Sequence, residues 1–297
     1  MELRHLRYFC AVAKEMHVTR AAESLRLAQP ALTQQIKALE NELQVELLRR
    51  VGRRVELTAA GAAFRRDAES ILERVRLAAR TAQNVARGTA GTLAVGLTES
   101  AAFSPAVSSL LKRAREHWPE VQMTLVHGHT IELISQLVER RIDIAFIRPP
   151  IPGDTELRWR PFVTEAIRVA LPNVHPLATR RALKPADLDT EPLILPRGRD
   201  GKGALRAEIA TAFARAGCGM RLVQEVPEFT TAINLVAAGM GLSLVPDSLT
   251  SMRPDAVVYR PLRVAPTLRT QITIVALAAN SSPAAENFYK LSASDKP

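Results

Sequence analysis

The sequence predicts a multidomain α+β chain: a small helical head carrying a β-hairpin, one long helix, and a larger domain of alternating strands and helices. Three observations carry that prediction. Between Val18 and Leu43 (VTRAAESLRLAQPALTQQIKALENEL) two apolar stripes of helical period follow one another with only a few residues between them. From Ala59 to about Arg87 no proline interrupts a pattern in which Phe64, Ala68, Ile71, Val75, Ala78, Ala82 and Val85 recur in steps of four and three. From Leu93 onward short apolar runs alternate with helical patterns, as expected of strands joined by crossover helices in a parallel sheet. At 297 residues, 47% hydrophobic and 24% charged, the chain has the length and composition for two or three globular domains.

In chain order, Leu3, Leu6, Phe9, Cys10 and Val12 place a first helix over residues 2 to 15. Thr19 is the expected N-cap of the next helix, and the Gln29-Pro30 step suits the entry to a third, because proline is tolerated in a first helical turn and disfavours helix just before it. Two short helices joined by so tight a turn form either a generic antiparallel pair or a helix-turn-helix, whose second helix enters the DNA major groove. On the second reading Gln29, Pro30, Ala31, Thr33, Gln34 and Lys37 face DNA, where amides, a hydroxyl and an ammonium read base edges or hold phosphates, while Leu32 and Ile36 face the protein. The residues after Leu43 favour DNA. Leu47–Arg50 and Val55–Leu57 read as two short strands turning at Gly52, with Arg49, Arg50, Arg53 and Arg54 at the tip, a basic wing suited to phosphate or minor-groove contact.

MELRHLRYFCAVAKEMHVTRAAESLRLAQPALTQQIKALENEL followed by LLRRVGRRVELTAAG resembles the N-terminal domain of LysR-type transcriptional regulators, densely to about residue 90 and more loosely to about residue 290. The resemblance implies a winged helix-turn-helix, a dimerising linker helix and a two-lobed effector domain like a periplasmic binding protein. It further implies engagement of RNA polymerase, assembly as a homodimer or dimer of dimers, and a role as an activator. MELRHLRYF, AQPALTQQI and LVAAGMGLSLVP look most similar to the branch that senses products of aromatic breakdown such as muconate.

Thr58 is the expected cap of the long helix. From Phe64 to Val85 its seam runs roughly 32 Å at 1.5 Å per residue, too long for the small head to cover, so a partner helix is expected. Paired linker helices would set the separation of two reading heads, making the DNA site an interrupted palindrome; packing against the chain's own C-terminal domain is the alternative. Gly88–Thr92 then breaks the helix as a hinge. The expected division is therefore 1–58 DNA-binding head, 59–87 linker helix, 88–92 hinge and 93–297 effector domain, with lobe I at 93–163 and 265–297 and lobe II at 164–264.

Strands are expected at 93–97, 121–127, 143–147, 167–172, 192–195, 221–226, 242–246 and 271–277, the first three of them read as buried. Helices are expected at 105–117, 130–140, 204–216, 229–238 and 283–291. Ligands of open α/β sheets bind beyond the carboxyl ends of strands, which singles out TESAAFS, GHT, RPP, PRGRDGKG and PEFTT. The resemblance places effector contacts at Ser100, Thr130 and Arg148, facing Arg197, Arg199 and Lys202. Glu99, His129, Gly203, Phe229 and Thr230 complete the candidate set. Hydroxyls, helix-start amides and cations favour a small carboxylate effector. Two features pull the other way. Glu99 would repel a carboxylate unless paired with Arg148 or protonated, and that pair equally suits a hydroxyl or amine. His127 and His129 share one face of an extended segment, a spacing that suits a metal, but with no carboxylate or thiol partner in evidence neither metal nor cofactor is expected. Arg148 also reads as a plain cap on a strand end.

A net charge of +10 and a sequence pI near 10.3 favour a polyanionic partner. Residues 1–91 hold sixteen Lys and Arg against ten acidic residues, so double-stranded DNA is the expected partner. Cys10 and Cys218 lie far apart without metal or redox spacing, and no apolar run approaches a membrane span, so the expected setting is cytoplasmic, with no membrane contact. No phosphate loop, dinucleotide fingerprint, H-E-x-x-H or G-x-S-x-G occurs, and no catalytic residue or enzyme activity is expected. Beside the ligand-responsive regulator stand two other readings: a sequence-nonspecific DNA binder with a vestigial effector domain, and a small-molecule binding protein.

Overall fold

The computed structural model describes residues 1–51, 54–151, 156–197, 204–279 and 281–293. It divides into two compact units, Met1–Gln83 and Asn84–Pro297.

The first unit contains α1 (Leu3–Glu15), α2 (Val18–Ser24), α3 (Gln29–Leu43), β1 (Leu48–Val51), β2 (Arg54–Leu57) and most of α4 (Ala59–Ala86). Leu6, Phe9, Val12, Ala21, Ala22, Leu32, Ile36 and Leu39 form its core. Thr58 caps α4 as expected, its hydroxyl accepting the Gly61 N–H at 2.8 Å. Thr19 does not cap α2. Met16 ends α1 in the left-handed region (φ 50°), and the extended His17 is the N-cap, so the turn closes before Thr19 is reached.

The linker seam is shorter than its sequence pattern. Phe64 meets Phe9 edge-on with ring centroids 5.2 Å apart, and Ala68 is buried in the same core, so the head covers the first two seam positions itself. The remainder, Ile71 to Val85, spans roughly 21 Å. Ile71 and Val85 are 40% and 47% exposed, and Ala78 and Ala82 are exposed as well. The hinge is also shorter. β3 (Ala90–Leu97) starts inside the expected 88–92 segment, leaving Arg87–Thr89 as the break, where Gly88 takes φ +69° against the backbone of Pro283.

The second unit continues with α5 (Glu99–Ala102), α6 (Pro105–His117), β4 (Glu120–His127), α7 (Thr130–Val138), β5 (Ile144–Ile147) and β6 (Leu157–Pro172). Beyond these lie β7 (Leu193–Pro196), α8 (Ala204–Arg215), β8 (Leu222–Val226), α9 (Phe229–Ala237), β9 (Ser243–Pro246), β10 (Val257–Pro261), β11 (Arg269–Leu277) and α10 (Pro283–Leu291). The sheet order β10-β6-β11-β5-β3-β4, with β9 also on β6, is mixed rather than parallel. β3 pairs in parallel with β4 and β5, and β7 with β8, but the returning strand β11 lies antiparallel to both β5 and β6.

β6 belongs to both lobes. Its first half pairs with β11, through Leu157 to Ala166, and its second half with β9 and β10. Each lobe packs its own core: Leu93, Val95, Phe146, Ile272, Ile274 and Phe288 in the first, and Val169, Leu171, Leu193, Leu195, Phe213 and Leu244 in the second. One strand expected to be buried is not: β4 lies at a sheet edge, and its residues are exposed or half-buried. Among the described residues no helix is long and apolar enough to cross a membrane.

Candidate nucleic-acid interface and effector cleft

In the head, α3 is anchored at its middle and near its C-terminal end. His5 and Gln35 meet at 3.0 Å (Nε2 to Oε1), tying α3 to α1, and the Glu40 carboxylate accepts the N–H groups of Leu47 (2.9 Å) and Leu48 (3.0 Å), tying α3 to the wing. The Val55 N–H donates to Met16 O at 3.1 Å, fixing the wing's second strand against the end of α1. Recognition helix and wing therefore form one rigid surface. Glu40 was not singled out by sequence, since an acidic residue late in a helix carries no signal of this backbone role.

With Leu32 and Ile36 buried inward, Pro30, Ala31, Gln34 and Lys37 are exposed on α3 and Gln29 and Thr33 half-buried. These two lie one turn apart and are linked: Thr33 Oγ1 donates to Gln29 O at 3.0 Å and accepts from Gln29 Nε2 at 3.2 Å. The contact holds the Gln29 amide in one rotamer, so its ordering entropy is already spent in the folded head. On the wing, Arg49 pairs with Glu56 at 3.0 Å, whereas exposed Arg50 and Arg54 have no carboxylate partner among the described residues. Arg53 lies outside the described residues.

In the second unit, the loops beyond β3, β5 and β8 meet between the lobes. Arg148 is nearly buried, and each nitrogen of its guanidinium donates once: Nε to Ser100 Oγ (2.8 Å), Nη1 to Thr270 Oγ1 (3.2 Å) and Nη2 to Glu165 Oε2 (2.5 Å). Burial lowers its pKa, and the neighbouring Glu165 carboxylate opposes that effect. The expected Arg148–Glu99 pair is not formed, because Glu165, in the middle of β6, reaches the guanidinium instead. Thr130 Oγ1 donates to Arg148 O at 3.1 Å, which fixes the strand end and commits the hydroxyl proton.

Glu99 has a different task. Its carboxylate accepts the Phe229 N–H (2.9 Å), the Thr230 N–H (3.2 Å) and the Thr230 hydroxyl, so a first-lobe carboxylate caps the second-lobe helix α9. The histidines do have a carboxylate partner: His127 Nε2 and His129 Nδ1 each lie 3.8 Å from Glu228 Oε1. Burial first, then the hydrogen bond and charge of Glu99, push the Glu228 carboxyl up to about 8. Arg197 is exposed, its backbone N–H donating to Val226 O at 2.7 Å, while Arg199, Lys202 and Gly203 lie outside the described residues. The structure thus brings together Glu99, Ser100, His129, Thr130, Arg148, Phe229 and Thr230. It adds Glu165, Glu228 and Thr270.

Comparison with known proteins identifies the family of both regions of the chain. Residues 3–62 match the family described as "Bacterial regulatory helix-turn-helix protein, lysR family", and residues 86–295 match "LysR substrate binding domain". The HTH-type transcriptional regulator BudR of Raoultella terrigena is 39% identical over 275 residues, 92% of this chain and 94% of that protein. The Hca operon transcriptional activator HcaR of Escherichia coli K12 is 33% identical over 268 residues, 88% of this chain and 87% of HcaR. Among solved structures, CbnR, a LysR family transcriptional regulator, superposes with a TM-score of 0.89 at 29% identity, covering 98% of this chain and 100% of CbnR. Full-length CbnR complexed with its target DNA gives a TM-score of 0.85 at 28% identity, covering 99% of each chain. With a winged head, a long linker helix and a two-lobed domain matched along nearly their whole length, the chain belongs to the LysR family of ligand-responsive, DNA-binding transcriptional regulators.

Proposed function

We propose that this regulator is a cytoplasmic homodimer, or a dimer of dimers, that binds an interrupted palindrome and activates transcription with RNA polymerase when a small carboxylate enters its cleft. The observation that carries the DNA half is the single rigid surface on which Gln29, Gln34 and Lys37 stand beside uncommitted Arg50 and Arg54. Dimerisation through the exposed Ile71–Val85 stripe would set the half-site spacing. The division into head (1–58), linker helix (59–87) and effector domain, with lobe boundaries near 164 and 264, is part of this reading.

A carboxylate effector is supported by what the cleft already holds: the first amides of α9 bind the Glu99 carboxylate, and Ser100 keeps a hydroxyl proton to donate while accepting from Arg148. Arg148 itself is paired with Glu165, so it holds Ser100 in place rather than meeting the ligand as a free cation. MELRHLRYF, AQPALTQQI and LVAAGMGLSLVP support placing the effector among products of aromatic breakdown, such as muconate.

The test is operator selection from random duplexes by the full-length protein, followed by binding with and without a panel of small carboxylic acids. Gln29→Ala is expected to cost roughly 1–3 kcal/mol on the selected operator and to relax preference at one position, whereas Arg54→Ala weakens all sequences alike. Equal losses for Gln29→Ala on selected and random DNA, or binding indifferent to every acid, count against the readout and effector assignments respectively.

A further inference from the structure

The second lobe holds a cavity of about 420 Å³ lined by three cations from three separate stretches of chain. Lys184 precedes the short helical turn Pro185–Leu188, Arg215 ends α8, and Arg263 follows β10. Backbone pairing and core packing fix their spacing. The Arg263 N–H donates to Leu183 O at 2.7 Å and the Leu183 N–H to Pro261 O at 2.9 Å, so Lys184 and Arg263 stand on neighbouring, paired stretches. Ile209 and Phe213 of α8 share one core with Leu183 and Leu188, which brings Arg215 to the same opening. Pro185, Ala212 and Val264 supply apolar wall between the charges.

These cations are gathered without counter-charges. Arg215 and Arg263 make no side-chain hydrogen bond or ion pair among the described residues. Asp187 acts electrostatically on Lys184, but its oxygens are taken by Arg180 and by the Lys184 N–H (2.8 Å), and Asp189 accepts the Gly219 N–H. Nor is Arg215 needed to cap α8, because the carbonyls of Ala212, Phe213 and Ala214 accept backbone N–H groups of Ala216, Gly217 and Cys218. Elsewhere on the lobe, Arg168 pairs with Asp247, Arg206 with Glu225 and Arg253 with Asp255, while Arg221 and Arg260 donate to backbone carbonyls.

We propose that this cavity is a second ligand site, separate from the cleft, for a small organic polyanion with an apolar body. Charges of one sign around a hollow with apolar walls focus the field and raise the local concentration of anions. Its volume falls within the roughly 300–1,000 Å³ of small-molecule sites, so it takes a small molecule rather than the rod of a duplex. The two guanidinium forks suit the paired oxygens of carboxylate or phosphate groups, Lys184 adds a point charge, and the apolar wall receives the carbon skeleton. Arg263, Val264 and Ala265 lead into the segment that returns to the first lobe at β11, so a bound anion grips the second lobe where the chain leaves it.

Isothermal titration calorimetry of the full-length protein at fixed ionic strength, with citrate and phenyl phosphate as probes, tests the site and distinguishes carboxylate from phosphate. Saturable binding of either probe, one molecule per chain, is expected. Affinity should fall about tenfold or more in Arg215→Gln and in Arg263→Gln, each of which removes a charge-assisted donor from an exposed position. Arg253→Gln, which alters an arginine that does not line the cavity, should bind as the parent does. Far-UV circular dichroism establishes that each variant is folded. Absence of saturable binding by both probes overturns the proposal. So does an unchanged affinity when Arg215→Gln and Arg263→Gln are combined, which puts the probe in the cleft or on the head and leaves the regulator reading standing. Displacement of the probe by random-sequence duplex also overturns it, by making the three cations a DNA-contacting surface.

Discussion

Arg148→Ala tests the structural core of the cleft. The guanidinium it removes lies 2.5 Å from a Glu165 whose side chain is 7% exposed, while that of Arg148 is 12% exposed. The alanine leaves Glu165 without that counter-charge, and Ser100 and Thr270 lose the donors 2.8 and 3.2 Å away. Removing one partner from a buried pair costs about 3–5 kcal/mol, most of it from stranding the other charge. In a unit of this size each kcal/mol shifts the melting temperature by roughly 2–4 °C, so a fall of about 6–20 °C is expected. Differential scanning calorimetry of the full-length protein, tracking the transition of the second unit, is the assay. Arg148→Met combined with Glu165→Met, which removes both charges at similar volume, should recover most of the loss. A single variant that melts within about 2 °C of the parent, or a double variant no better than the single, refutes the claim that the pair carries an uncompensated charge when broken.

Two other substitutions probe the head and linker. Gly61→Ala places a Cβ 2.0 Å from Leu47 O, so α4 and the wing have to separate. Destabilisation of about 1–3 kcal/mol is expected by thermal unfolding, and an unchanged head transition would contradict the packing. Ile71→Glu puts a charge in the exposed part of the linker seam. Sedimentation should show the mass falling to that of one chain, and an unchanged mass means that another surface holds the assembly.

Some of this architecture was legible in the sequence because local and tertiary preferences agree there. α6 and α10 run over the expected residues, each with proline in its first turn and a serine before it. The head was equally plain, since two stripes of one period can bury each other only by turning sharply. The apolar pattern of β6 covers six residues, 167–172, whereas the strand has sixteen. Its first half, LRWRPFVTEA, carries charges and Pro161, which argue against a strand with partners on both sides. That half pairs only with β11, however, and Pro161 sits at the register shift opposite Ile272 and Thr273, where a missing donor is tolerated. β10 escapes the pattern for a related reason, being a five-residue strand that ends in Arg260 and Pro261.

At the cleft, Ser100, Thr130 and Arg148 are found through the loops beyond strand ends, whereas Glu165, Glu228 and Thr270 are not. Their roles depend on which lobe faces which, and no local spacing encodes that. Glu99 stands out in the sequence as a charge in a difficult place, but its partner is a helix terminus 130 positions away in the chain. The linker pattern errs in the opposite direction: Phe64 fits the heptad and also fits the head, and the head takes it.

The continuous run of β6 through both lobes limits how descendants of this sequence can change in length. Side chains of a strand alternate between faces, so one residue added or removed near Val163–Ile167 would turn every later position of β6 over. Val169 and Leu171, now packed in the second lobe, would exchange places with Arg168 and Ala170. Insertions are tolerable in the surface connections of either lobe, but along this shared strand the tally of residues is fixed by parity.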